Sequence, residues 1–282
     1  MLLILITGIV STGFGAWFVA GALVASANRK VERPKDFPVT EVTFQSDSGS
    51  LIAAWHCPIS DSRATILLVH GLRDDRTSLV ERVKLFSNAG YSVLMIDLQA
   101  HGESPGSRIT LGHLERHDVK AAVEYVRQTN PDHRIGVLGI SLGGASALLG
   151  SPLGIDALVM ESVFPTIDEA IRNRVSARVG FLSQILSPML LCQIQPRLGV
   201  STSDLRPIDY VPKLDCPVLI ASGDVDPHTT VAETKRIFAA AAEPKQLAFV
   251  AGAAHEDLFE KSPKEYAKLV LEFFKTHLVH DR

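Results

Sequence analysis

The sequence predicts an α/β fold in which helices cover both faces of a mostly parallel central sheet. Two observations lead to this prediction. Short runs rich in aliphatic and β-branched residues alternate along the chain with longer segments of helical periodicity, a pattern typical of βαβ units. Most of the short runs are apolar without interruption, as expected for strands that are buried on both faces.

The short apolar runs predict eight strands. The first two, Glu41–Gln45 and Leu51–His56, flank a turn at 47–50 rich in Ser, Gly and Asp, which predicts a hairpin at the entry to the sheet. The other six are predicted at Ala64–Val69, Tyr91–Asp97, Arg134–Leu138, Ala157–Glu161, Pro217–Ser222 and Gln246–Val250.

Helical periodicity fills the gaps between these runs. It predicts helices at Ser78–Ala89, Leu111–Gln128, Thr230–Ala242 and Ser262–Leu278. More than fifty residues separate Glu161 from the strand beginning at Pro217, which is longer than a simple crossover requires. We therefore expect a helical cap inserted over the sheet edge at about 165–209; one crossover helix with an irregular loop is the alternative.

The amino-terminal segment departs from the pattern of a soluble domain. Met1 to Asn28 contains no charged side chain and is nearly all apolar, long enough for a helix that crosses a bilayer. Arg29 and Lys30 follow at once, so the positive-inside tendency predicts a single membrane anchor with the rest of the chain in the cytoplasm. A secretory signal cleaved near 25–27, releasing a secreted protein, is the alternative.

The chain is thus predicted to have three segments. Residues 1–28 form the anchor or signal, residues 29–40 a linker containing Pro34 and Pro38, and residues 41–282 one folded domain. Hydrophobic residues make up 46% of the sequence, enough for a sizeable core.

Composition and motifs argue against several classes of function. The net charge is −3 and no long basic run is present, so nothing suggests nucleic acid as a partner. The three cysteines, Cys57, Cys192 and Cys216, are few and far apart, which predicts neither a disulfide framework nor a thiolate metal site. Phosphate-binding, dinucleotide-binding and zinc-protease motifs are missing from the sequence, and we expect no metal or organic cofactor.

A candidate nucleophile lies at Gly139-Ile140-Ser141-Leu142-Gly143, between a predicted strand and a helical run. The glycine–serine–glycine pattern is weak alone, but strand, turn and helix in succession are what a nucleophile elbow requires. Such a turn presents the serine at the carboxyl end of the sheet, where the following helix N-terminus favours developing negative charge. Ser141 is therefore predicted to be the nucleophile of a serine hydrolase.

A nucleophilic serine needs a base, and the base needs an orienting acid. In this type of site the chain order is serine, acid, histidine. His255 follows the last predicted strand and is the candidate base. Asp224 and Asp226 both follow the strand at 217–222 and are the leading candidates for the acid, with Glu161 as a third.

Hydrolysis also needs two donors for the oxyanion. We expect them to be the backbone N–H groups of Leu142, directly after the nucleophile, and of Leu72, in the loop after Ala64–Val69. His70, in the same loop, is expected to hold the loop by hydrogen bonds, and the loop at 97–104 is expected to buttress the site.

Five of these segments together resemble the α/β-hydrolase superfamily over roughly residues 40–280. They are 70–71, 97–104, 139–143, 223–226 and 252–255. The resemblance implies an α/β-hydrolase fold and a Ser-Asp-His triad, which corresponds here to Ser141, Asp226 and His255. It favours Asp226 over Asp224, because the spacing of Asp226 from Gly223 fits the superfamily pattern.

Within the superfamily, residues 110–123 are similar to bacterial serine aminopeptidase-like and Bem46-like hydrolases, many of which begin with a hydrophobic segment. These features predict cleavage of a carboxylic ester, including lipid esters and thioesters, through an acyl-enzyme. The expected partners are a small-molecule or lipid acyl substrate and, through residues 1–28, a membrane. The alternatives are a peptidase or amidase with the same triad, and a membrane-tethered protein that keeps the fold without turnover.

Overall fold

The central sheet is mostly parallel. The computed structural model describes residues 15, 17–35 and 37–279. Its strands are β1 (Ala27–Asn28), β2 (Thr40–Gln45), β3 (Leu51–Cys57), β4 (Ala64–Val69), β5 (Ser92–Ile96), β6 (His101–Gly102), β7 (Arg134–Ile140), β8 (Ala157–Glu161), β9 (Val218–Gly223) and β10 (Lys245–Val250). Eight form one sheet in the order β10-β9-β8-β7-β4-β5-β3-β2. Among the eight strands of this sheet in the described chain, only β3 runs in the direction opposite to the others.

All eight strands predicted from the apolar runs are present, with ends within two residues of the prediction. The side chains of β4 show why unbroken apolar runs form these strands. Leu67 and Val69 pack into the core on one face of the sheet, while Ile66 and Leu68 pack into the core on the other. A strand covered on both faces has no solvent side, so polar residues do not alternate along it.

Helices cover both faces of the sheet, as predicted. They are α1 (Val80–Asn88), α2 (Glu115–Thr129), α3 (Leu142–Leu149), α4 (Ile167–Val179), α5 (Ser183–Leu191), α6 (Ile194–Leu198), α7 (Val231–Ala240), α8 (Leu258–Lys261) and α9 (Pro263–Leu278). Helices α1 and α9 contribute to one core, whereas α2, α3 and α7 contribute to the other.

The helix predicted from Leu111 begins four residues later, at Glu115. Leu111 and Gly112 have φ angles of +59° and +106°, which no right-handed helix accommodates. The Glu115 carboxylate accepts hydrogen bonds from the N–H groups of Thr110 and Gly112 and so holds this turn apart from the helix. Apolar periodicity gives no sign of this side-chain contact with the backbone, so it predicted a helix start four residues too early.

A helical insertion between β8 and β9 confirms the predicted cap. By length and composition, Ile167–Leu198 is the one helical stretch of the described residues that is apolar enough to cross a membrane. It is broken, however, at Gly180, where φ is +59° and a short 3₁₀ turn separates α4 from α5. The two helices instead pack on each other above the sheet.

The described part of the amino-terminal segment lies against the cap. Residues 17–24 are helical; residues 1–14 and 16 of the predicted anchor lie outside the described residues. Ala20 packs on Leu190 of α5, and the Arg197 guanidinium lies over the Trp17 ring at 3.7 Å. After this helix, β1 pairs in parallel with β6, in the loop that follows β5.

Candidate active site

Ser141 stands at a sharp turn between β7 and α3. Its φ of +49° and ψ of −105° are strained for a residue with a side chain. Its N–H donates to the carbonyl oxygen of Glu161 at 2.8 Å, which fixes the turn to the end of β8. A Cβ atom on Gly139 would lie 2.5 Å from the Gly144 nitrogen, and one on Gly143 would lie 2.7 Å from the His70 oxygen. Only glycine fits at both positions, as the elbow motif requires.

The structure brings Asp226 and His255 together. Nδ1 of His255 lies 2.8 Å from Oδ2 of Asp226. The other oxygen, Oδ1, accepts the N–H groups of His228 at 2.7 Å and Thr229 at 3.0 Å. Burial alone would raise the pKa of Asp226, but the hydrogen bond and charge of His255 and these two N–H groups outweigh it, so the pKa lies below its ordinary value.

The other two candidate acids have different partners. Asp224 accepts the N–H of Gly252 at 2.7 Å and so ties together the loops after β9 and β10. Glu161 is buried and bonded to Arg82 at 2.8 Å and to the Tyr266 hydroxyl. The geometry therefore agrees with Asp226 as the group that orients His255.

Ser141 and His255 line the same cavity. Among the described residues no hydrogen bond joins their side chains; instead, Nε2 of His255 lies 3.4 Å from an Nη atom of Arg174. Serine–histidine contacts are often long before substrate binds, so the missing bond does not argue against proton transfer between the two side chains.

The two predicted oxyanion donors, Leu72 and Leu142, line the apolar cavity together with Ser141. Neither backbone N–H donates a hydrogen bond to another described residue, so both are available to an oxyanion. His70 holds the first loop: its Nε2 accepts the N–H of Leu98 at 3.1 Å, and its Nδ1 bonds the Gly71 oxygen at 2.7 Å. Burial and the charge of His101 lower the pKa of His70 to about 3, so it stays neutral.

The loop at 97–104 has the expected buttressing contacts. Buried Asp97 accepts the backbone N–H of Arg76 at 2.7 Å and that of Glu103 at 2.8 Å. Arg76 also forms ion pairs with both Asp97 and Glu103. These bonds fix the start of the loop next to the His70 turn.

Sequence reasoning missed a buried ion network behind the site. Arg82 of α1 bonds Glu161 at 2.8 Å and Asp257 at 2.6 Å. Glu161 supplies the carbonyl that holds Ser141, and Asp257 lies two residues after His255. Arg82 therefore ties the nucleophile turn to the histidine loop, a link between distant segments that leaves no local sequence signal.

Two cavities meet at Ser141. One, of about 280 Å³ and here called the polar cavity, is lined mostly by polar and charged residues, among them His255 and Glu256. The other, of about 100 Å³, is almost wholly apolar and lies between α4, α5 and the amino-terminal helix. Its apolar lining comprises Ala20, Leu23, Val24, Leu72, Leu111, Leu142, Phe164, Ile167, Ala170, Ile171, Leu190 and Ile194. A polar and an apolar compartment on either side of a serine suit the two halves of an amphiphilic ester.

Asp226, His228 and His255 also offer ligand atoms within 4.8 Å of one another, close enough to hold a metal ion. Both oxygens of Asp226 are already engaged, one by His255 and the other by two backbone N–H groups. This donor set fits an oriented acid–base pair better than a metal site.

Comparisons with known proteins agree with this fold. Residues 60–191 match the family model described as serine aminopeptidase, S33. The Pyrococcus furiosus esterase Pf2001 superimposes with a TM-score of 0.73 at 22% identity, covering 89% of this chain and 99% of that one. The chain therefore has the α/β-hydrolase fold.

Among similar sequences, YqkD of Bacillus subtilis (strain 168) is 27% identical over 83% of this chain and 78% of its own length. Caffeoylshikimate esterase of Arabidopsis thaliana is 23% identical over 81% of this chain and 82% of its own length. Both alignments extend well beyond the segment matched by the family model.

Proposed function

We propose that this protein is a serine hydrolase that cleaves carboxylic esters through an acyl-enzyme. Ser141 Oγ attacks the ester carbonyl while its proton passes to Nε2 of His255, and the N–H groups of Leu72 and Leu142 bind the oxyanion. The protonated His255 then gives this proton to the departing alkoxide. In the second half, His255 takes a proton from water, which attacks the acyl-enzyme. The intermediate then collapses to release the acid, and His255 returns the proton to Ser141 Oγ.

The observation that carries this proposal is the Asp226–His255 hydrogen bond beside a serine at a strained elbow. A carboxylate on Nδ1 fixes the tautomer in which Nε2 is free to accept the serine proton, and it stabilises the imidazolium that forms. Two unused N–H groups at the same cavity supply the electrostatic stabilisation that such a reaction requires.

The apolar cavity favours esters over peptides. Its volume of about 100 Å³ and almost wholly apolar lining suit a short acyl chain. Two similar proteins, Pf2001 and caffeoylshikimate esterase, are esterases by name. A serine peptidase or amidase remains the second candidate, because the matching family model is described as a serine aminopeptidase.

We also propose that the protein is held at a membrane by its amino-terminal segment, with the catalytic domain in the cytoplasm. The cap supports this orientation, because two of its apolar side chains are exposed in or next to a helix that contacts the amino-terminal segment. Phe181, just before α5, is 81% exposed, and Ile185, within α5, is 63% exposed. Helix α5 contacts residues 17–24. Arg172 and Arg178 of α4 are also exposed, and residues 170–203 contain no acidic residue. An apolar and basic surface suits the anionic cytoplasmic leaflet.

The test of the hydrolase proposal compares the full chain with its Ser141→Ala variant. Wild type should hydrolyse 4-nitrophenyl butyrate and react covalently with a fluorophosphonate probe, and the variant should do neither while unfolding at the same temperature. Labelling that persists in the variant would refute the assignment of Ser141. Faster turnover of aminoacyl amides than of esters would favour the peptidase.

A further inference from the structure

Arg174 reaches from the cap into the reacting centre. It lies on α4 and is the one charged residue, among those the structure describes, that lines both cavities at Ser141. One Nη lies 3.4 Å from Nε2 of His255, and the other donates to the Ala170 carbonyl at 3.2 Å in its own helix. The guanidinium is therefore placed beside the position of a bound substrate.

No carboxylate in the described part of the chain lies within salt-bridge distance of Arg174. Burial lowers the pKa of Arg174, and the acids that act on it, Asp226 and Glu233, offset this only in part. Both carboxylates already accept other hydrogen bonds, Asp226 from His255 and Glu233 from Asn173 at 2.8 Å. A guanidinium that is partly withdrawn from water and has no counter-ion is unfavourable, and a bound anion would compensate it.

The reaction itself makes an anion at Arg174 favourable. His255 becomes positively charged when it takes the proton of Ser141, and the Arg174 charge lies 3.4 Å from the same ring. Two positive charges at that separation repel each other. A bound anion would neutralise Arg174 and draw the guanidinium away from Nε2, leaving that nitrogen free to accept the serine proton.

We propose that Arg174 binds a carboxylate on the substrate, and that the preferred substrates are esters that carry a carboxylate close to the scissile bond. This inference rests on the proposed ester hydrolysis. A guanidinium offers two parallel donors that match a carboxylate, a geometry that lysine cannot reproduce. The apolar cavity next to Arg174 takes the uncharged part of the acyl chain.

The polar cavity also contains acidic residues, but two of them have cations of their own. Asp257 pairs with Arg82, and Glu256 pairs with Lys261. Asp74 lacks an ion pair within the described ranges, and burial raises its pKa. A site built around these acids would prefer a cationic substrate, which the same experiment distinguishes.

The experiment uses butyryl esters of three phenols that differ only in the para substituent: a carboxylate, its methyl ester and a trimethylammonium group. A second pair, 4-nitrophenyl hydrogen adipate and 4-nitrophenyl methyl adipate, carries the charge in the acyl half. Each kcat/KM is divided by the rate of hydroxide-catalysed hydrolysis of the same ester, which removes differences in leaving-group reactivity.

In at least one of the two series, wild type should prefer the carboxylate ester over its neutral match by about tenfold or more, as expected for a charge-assisted pair. Arg174→Met should reduce that ratio to near one, and Arg174→Lys should leave an intermediate ratio. Arg172→Met is the matched control: it removes an exposed arginine of the same helix, and its ratio should equal that of wild type.

The proposal is overturned if wild type shows no carboxylate preference in either series, if it prefers the trimethylammonium ester, or if Arg174→Met keeps the wild-type ratio. The first two results need no variant, so they decide the matter even if Arg174→Met does not fold. If neutral esters are hydrolysed in a Ser141-dependent manner without any carboxylate preference, only this inference fails. Hydrolysis that survives Ser141→Ala refutes the proposed function itself.

Discussion

Asp226→Asn tests the proposed triad most sharply, because the two carboxylate oxygens have fixed and different partners. Oδ1 accepts the N–H groups of His228 and Thr229, so the asparagine carbonyl oxygen should take that place. The amide NH₂ must then face Nδ1 of His255, where the carboxylate now lies at 2.8 Å. His255 would accept a hydrogen at Nδ1 and carry its proton on Nε2.

A histidine protonated at Nε2 cannot take the proton of Ser141. Flipping the amide would restore an acceptor for His255, but it would set the NH₂ against two N–H donors and forfeit two buried hydrogen bonds, each worth about 1–3 kcal/mol. The productive arrangement is therefore disfavoured by several kcal/mol. We expect kcat to fall about 10³- to 10⁴-fold, which corresponds to about 4–5.5 kcal/mol in the barrier.

The assay is hydrolysis of 4-nitrophenyl butyrate at neutral pH, with thermal unfolding as a check on the fold. Asp224→Asn is the control: its carbonyl can still accept the Gly252 N–H, and kcat should change little. The reasoning would be refuted if Asp226→Asn kept more than a tenth of the wild-type kcat, or if Asp224→Asn were equally damaging.

Two further predictions concern stability and orientation at a membrane. The pKa of His70 is lowered to about 3 in the folded chain. Below pH 6.5 His70 is therefore protonated in the unfolded chain and neutral in the folded chain, and the free energy of unfolding decreases as pH falls. This group should contribute a loss of about 2 kcal/mol between pH 6.5 and 5, seen in urea unfolding as a decline that His70→Gln lacks; parallel declines in the two proteins would contradict it. Phe181→Trp in the full chain, reconstituted into anionic vesicles, should be quenched by lipids brominated on their acyl chains, because a docked helix lies about 5–10 Å into the interface. Leu51→Trp, also exposed but on β3, should show no added quenching, and equal quenching at both positions would contradict the proposed orientation.

The sequence alone predicted much of this fold because the sheet is buried on both faces. Strands such as β4 and β8 are buried throughout and mostly apolar, and their bounds equal the predicted ones. The turn at Ser141 was also predicted from the sequence, because its motif places glycine at 139 and 143, where the structure leaves no room for a side chain. The choice between Asp224 and Asp226 depended on family resemblance; the structure distinguishes them by their hydrogen bonds.

The features that sequence reasoning missed depend on contacts between distant segments. Arg82 meets Glu161 and Asp257, which lie 79 and 175 positions away along the chain. Arg174 belongs to a cap helix with no motif, and only the folded chain shows that it lies beside His255. Such side chains resemble solvent-exposed charges until tertiary structure removes them from water.

The pairing of β1 with β6 determines how the amino-terminal segment is attached. Besides this pairing, Arg73 donates to the carbonyl oxygens of Ala22 and Ala25, and Arg29 pairs with Asp75. These partners lie in the loops that follow β4 and β5. These contacts hold the described part of the segment in a fixed position on the domain. A chain shortened to begin after residue 36 would lose Ala20, Leu23 and Val24 from the lining of the apolar cavity, so we expect its substrate preferences to differ from those of the full chain.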